Sequence, residues 1–165
     1  MLFNMFTKAA TSVIKFCAAA HLVTEYGAEV TMTVGPSMLP TLNLTGDTLL
    51  VDRTINLPYW LTNILNLDVE PKVGDVVVAK SPTDSTQTVC KRVIALEGQR
   101  TPSGKLVPPG RVWLEGDNKS NSTDSRDYGA IPLALIEGRV ICRIWPPSKI
   151  GRLPPRPETS TSTIV

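Results

Sequence analysis

Beyond residue 25 the chain is punctuated too densely for long helices. Short runs rich in Val, Ile, Leu and Thr alternate with Gly, Pro, Asp and Asn, and 14 prolines and 11 glycines are spread over 165 residues. A proline inside a helix removes a hydrogen bond and clashes with the preceding turn, whereas short β-branched runs between turn residues are what strands look like. Strands are therefore expected over 29–34, 47–55, 75–81, 88–96, 111–116 and 139–145, with one helical turn ended by a glycine, "PLALIEG" (132–138), before the last. A chain of this length buries one core, so the expectation is a single, mainly β domain.

The two ends read differently. Residues 1–24 contain no Asp or Glu and only Lys8 and Lys15 as cations. The apolar run over 9–24 would reach about 24 Å as a helix, a little short of a roughly 30 Å hydrocarbon core, and snorkelling of Lys8 and Tyr26 closes the gap. One N-terminal membrane-anchor helix is expected within 1–28, an interfacial or cleaved segment being the alternative. The β-rich domain is expected over 29–148. A Pro-, Ser- and Thr-rich flexible tail should follow over 149–165. Between the second and third strands, "NLPYWLTNILNLDVEP" (56–71) is more apolar than a loop should be. It reads either as a short helix covering the core or as an exposed patch resting on a membrane.

Charge and cysteine usage exclude several functions. Seventeen basic against fifteen acidic residues give +2, the cations are scattered, and aromatic residues make up 5% of the chain. Nucleic-acid binding requires a concentrated basic stripe or a stacking platform, and neither is present. Cys17, Cys90 and Cys142 are odd in number and form no Cys-x-x-Cys pair. Cys17 and His21 stand four apart with no second pair to complete a site, so neither a disulfide framework nor a bound metal is expected.

The chemistry-bearing stretch is "VGPSMLPTL", where Ser37 sits between Pro36 and Pro40. A serine hydroxyl becomes a nucleophile near neutral pH only when a base removes its proton. The single histidine, His21, lies in the N-terminal apolar segment, which argues against a Ser/His/Asp triad. The remaining bases are carboxylates and lysines, and a lysine base requires a pKa lowered by desolvation. In "TVCKRVIAL" strand alternation puts Lys91 on the face of Val89, Val93 and Ala95. That is an apolar environment, although a lysine in a strand is more often a solvated edge residue. The segment "EGDNKSNSTDSRDYG" supplies hydroxyls and amides that form either a hydrogen-bonded turn or a scaffold aiming that lysine. Asp124 and Arg126 are placed to stiffen it as an ion pair.

In this order, "GPSMLPTL", "GDVVV", "CKRVIALEG" and "GDNKSNSTDSRDYG" resemble the type I signal peptidase family of serine/lysine endopeptidases, over roughly 29–145. The resemblance implies a signal-peptidase-like β-rich catalytic domain behind the anchor, with Ser37 as nucleophile and Lys91 as general base. It makes Ser122 the hydroxyl that orients the base, and Asp124 with Arg126 the ion pair bracing the site. Gly35 stands where some bacterial members carry a serine that assists the nucleophile's amide in binding the oxyanion, which leaves the second donor unassigned. No cofactor is implied. The form of the motifs is most similar to the mitochondrial branch of the family. That branch implies precursors with signal or sorting peptides as substrates, a second related catalytic subunit as partner, and contact with inner-membrane lipid. It also implies an inner-membrane location with the catalytic domain facing the intermembrane space. The alternatives are a single-anchor bacterial signal peptidase and a non-catalytic scaffold subunit of a membrane protease. A self-cleaving repressor shares the dyad, but residues 1–28 are too short and too apolar for a DNA-binding domain.

Overall fold

The computed structural model describes residues 11–17, 21 and 27–157. The chain forms strands β1 (Ala28–Val34), β2 (Thr45–Asp52), β3 (Val76–Lys80), β4 (Thr88–Leu96), β5 (Arg111–Glu115), β6 (Ile131–Pro132) and β7 (Ile136–Trp145). They make one seven-stranded sheet in the order β1-β2-β7-β3-β4-β5-β6, with every neighbouring pair antiparallel. The expected mainly β class is observed. Register slips in the β1–β2, β2–β7, β3–β7 and β4–β5 ladders bend the sheet. As a result β1 and the start of β4, far apart in sheet order, line the same cavities.

Alternation along the strands builds the core. In β2, Leu49 and Val51 point inward with Met38, Leu42 and Val76, while Val77, Val93, Val112 and Leu114 form a second cluster. Met38 and Leu42 flank the candidate nucleophile, so the turn bearing Ser37 is pinned by two buried side chains. Each contributes roughly 1.5–3 kcal/mol by burial.

Three segments differ from expectation. "PLALIEG" forms a 3-10 turn only over Leu133–Leu135, and β7 already begins at Ile136. The glycine read as a helix stop, Gly138, is instead a strand position pressed onto β2, where a Cβ would stand 2.5 Å from Val51 Cγ1 and 2.8 Å from the Asp52 carbonyl. In the apolar insertion, Tyr59–Leu65 is helical, but Thr62 is its only buried residue, so it does not cover the core. The first part of the expected tail is docked. Gly151 bridges Arg143, Leu153 packs against the core, and Arg156 pairs with Glu115 at 2.7 Å.

The expected anchor lies largely outside the described residues. Residues 11–17 and 21 are helical, and among the described residues no helix is long and apolar enough to cross a membrane.

Candidate active site

Ser37 lies in a 3-10 turn, Pro36–Met38, directly after β1. Gly35 enters the turn at φ 123°, a conformation that side chains rarely adopt, and its amide donates to the Leu44 carbonyl at 2.8 Å. Asn118 fastens the turn from the opposite side. Its backbone amide donates to the Ser37 carbonyl at 3.0 Å and its side-chain amide to the Pro36 carbonyl at 3.0 Å. The turn's own hydrogen bonds engage the amides of Gly35, Leu39 and Leu42 and leave the Ser37 amide out.

Lys91 is 3% exposed on β4, and together with Ser37 it lines a cavity of about 210 Å3. Its Nζ donates to Ser122 Oγ at 3.0 Å, and the Ser122 hydroxyl donates in turn to Asp124 Oδ2 at 2.8 Å. Desolvation pulls the Lys91 amine below the ordinary lysine range, against the opposing pull of the Asp124 carboxylate. Interposing a hydroxyl between amine and carboxylate gives the amine an oriented acceptor without a direct ion pair, which would favour the ammonium.

Asp124 is fully buried and saturated with donors. Gly116 N, Ser122 Oγ and Arg126 Nη2 reach Oδ2, while Arg126 N and Nε reach Oδ1, all within 3.1 Å. Burial alone would raise the carboxyl, but the Arg126 guanidinium and the Gly116 and Ser122 hydrogen bonds hold it at about 2. Asp124 also caps the short helix Ser125–Tyr128, and Asp127 returns a hydrogen-bond acceptor to the Asp124 amide. The turn is therefore rigid before any substrate arrives. Gly116 is indispensable to it, because a Cβ there would meet the Ser37 carbonyl at 2.5 Å and Ser122 Oγ closer still.

The structure thus brings Ser37 and Lys91 to one cavity and Ser122, Asp124 and Arg126 behind the lysine. His21 and Cys17 do not line that cavity. Cys90 does, but desolvation pushes its thiol up to about 12, so it supplies no thiolate near neutral pH. Sequence reasoning missed Asn118, Gly116 and a second buried cluster. Arg92, on the opposite face of β4 from Lys91, binds both oxygens of Asp117 at 2.9 and 2.7 Å. Thr41 donates to the same carboxylate, and Arg92 also reaches the carbonyls of Gly74 and Pro154. The signal for Arg92 was present, since strand alternation places it on a face where a cation requires a partner.

A serine and a desolvated lysine in one cavity, with a hydroxyl aiming the lysine, is the arrangement of a serine/lysine hydrolase. The family model for signal peptidase, peptidase S26, matches residues 6–102 and 99–145. The chain belongs to this family. It is a serine peptidase of the signal peptidase type. Among curated relatives, mitochondrial inner membrane protease subunit 1 of Xenopus tropicalis is 44% identical over 154 residues, covering 88% of this chain and 86% of that one. The human protein of the same name is 42% identical with the same coverage. Mitochondrial inner membrane protease subunit 2 of Danio rerio is 37% identical over 134 residues, covering 78% and 70%. The signal peptidase resemblance of the sequence motifs is thereby confirmed across almost the whole chain.

Proposed function

We propose that the chain is a membrane-bound serine endopeptidase of the mitochondrial inner membrane, which removes sorting or signal peptides from precursors delivered to the intermembrane space. The observation that carries the reading is the buried Lys91 amine, held by Ser122 in the cavity that Ser37 lines. Names of the relatives support the compartment. The anchor occupies 1–28 and the catalytic domain, 29–148, faces the intermembrane space. A second, homologous catalytic subunit is the partner, a reading supported by the kinship to both subunits 1 and 2.

Neutral Lys91 accepts the Ser37 proton as Oγ attacks the scissile carbonyl. The Ser37 amide donates to the oxyanion, and the lysine returns the proton to the departing amine, leaving an acyl-enzyme. Lys91 then takes a proton from the water that attacks the acyl carbonyl and returns it to Ser37 Oγ as the ester bond breaks, which releases the acid and restores Ser37. The precursor lies as an extended strand. Among the described residues β1 pairs with β2 alone, and the β5 ladder reaches only Arg92, so both β1 and one side of 88–91 offer unpaired backbone beside the cavity.

Expression of Ser37→Ala as the only copy in cells tests the reading. Intermembrane-space precursors should accumulate uncleaved although the protein is present at normal abundance. Normal maturation with the variant, together with loss of maturation on deletion, would instead make the chain a scaffold.

A further inference from the structure

The peptide unit that carries the Ser37 amide is held from its carbonyl end. Asn118 Nδ2 donates to the Pro36 carbonyl at 3.0 Å, and the Leu39 amide donates to the same oxygen at 3.2 Å, so both of its lone pairs are engaged. A carbonyl only accepts, so the atom of the Asn118 amide that faces Pro36 is its nitrogen. On the far side of that amide, Ser120 Oγ donates to Asn118 Oδ1 at 2.9 Å. One unbroken series therefore runs from the Ser120 hydroxyl, through the Asn118 amide, to the Pro36–Ser37 peptide, and it ends on the Ser37 N–H.

The Pro36–Ser37 bond is trans, so its C=O and N–H lie in one plane and point in opposite directions. Fixing the oxygen fixes the direction of the N–H. Hydrogen bonds to the oxygen also draw electrons from the nitrogen and make the N–H a stronger donor, the mutual polarisation of amides in series. The neighbouring units are held as well. The Gly35 amide is tied to the Leu44 carbonyl at 2.8 Å and the Ser37 carbonyl to the Asn118 amide at 3.0 Å. This matters because Gly35 has no side chain to offer a second donor and Pro36 has no N–H.

We propose that Asn118, backed by Ser120, is a positioning residue for oxyanion stabilisation, which aims and polarises the Ser37 amide through the Pro36 carbonyl. Asn118 touches neither substrate nor Lys91 in this role. It acts through the peptide plane, and its effect is confined to the stage at which negative charge develops on the scissile oxygen. The same side chain thus belongs to a different part of the chemistry from Ser122, which aims the base. The proposal rests on Ser37 being the nucleophile and adds what sets the strength of the one donor its own backbone supplies.

The test compares a peptide ester with its thionoester, whose developing anion sits on sulfur, a larger and weaker acceptor that an oxyanion donor serves poorly. The full chain is assayed in detergent with the proposed partner subunit, and the rate counted is the part that Ser37→Ala abolishes. In Asn118→Ala the preference for the oxygen ester should fall about tenfold, less than the roughly hundredfold that losing a donor outright costs. KM and the pH midpoint of the limb set by Lys91 should stay in place. Asn118→Asp keeps the shape of the side chain, but its ionised carboxylate cannot donate, and it should show the same fall in preference. Equal slowing of both esters, with the preference unchanged, overturns the proposal and makes Asn118 a general brace of the turn. Failure of both variants to fold, read from their urea midpoints, overturns it in the same way. A wild-type rate that Ser37→Ala leaves intact overturns the reading of the nucleophile itself, and the role of Asn118 with it.

Discussion

In the proposed mechanism Ser122 is the residue that aims the base. Its hydroxyl accepts from Lys91 and donates to Asp124, and both bonds depend on its exact place opposite Gly116. Ser122→Ala should lower kcat by about tenfold to a hundredfold with KM little changed, because an amine free to rotate is misplaced for proton transfer. Steady-state cleavage of a peptide substrate reads this split. The pH dependence follows from Lys91 as well. Its amine is held below the ordinary lysine value of 10.5, and in the proposed mechanism the active form is the neutral one. The rate should therefore rise with pH through a limb centred below 10.5 and be lost toward acid, where the lysine is protonated. A pH–rate profile peaking below about pH 6 would contradict a lysine base. For stability the sign is the opposite of a stabilising ion pair. A lysine whose folded-state pKa is lowered disfavours the fold in acid, and that cost disappears as pH rises past the unfolded value.

At the scale of the elements, β4 carries one buried cation on each side, and they do different work. Lys91 faces the cavity, while Arg92 ties the turn after Ser37, through Thr41 and Asp117, to the docked C-terminal segment at Pro154. The Arg92–Asp117 pair is 3% and 0% exposed. Arg92→Ala leaves Asp117 buried with Thr41 as its remaining side-chain partner and should cost about 3–5 kcal/mol, read as a shift in the urea midpoint. How much of this was legible varies by element. "TVCKRVIAL" gave β4 residue for residue, because β-branched alternation and turn punctuation agree there. "PLALIEG" misled, since a glycine that stops a helix and a glycine that lets one strand press on another look alike without the neighbouring strand. The tail misled for a related reason. Proline-rich composition signals poor helix and sheet formation, but Leu153 and Arg156 find a core cluster and a carboxylate that sequence distance conceals.

For the whole molecule, one bent sheet brings together residues 54 positions apart, so that Ser37 and Lys91 share a cavity, while Ser122 of the 116–126 segment holds the lysine amine. The motifs disclosed the participants, and the register slips that bend the sheet decide that they meet. The clamp by Asn118 was not legible, because an asparagine in a polar turn has many partners within reach and only the fold selects the Pro36 and Ser37 carbonyls. In the proposed function Ser37 and Lys91 act as one catalytic unit. The most direct measurement is cleavage of a membrane-protein precursor by detergent-solubilised wild type, Ser37→Ala and Lys91→Ala, each assembled with the proposed partner subunit. Both variants should assemble normally and lose cleavage. Near-wild-type turnover by either one would contradict the dyad and make that residue structural.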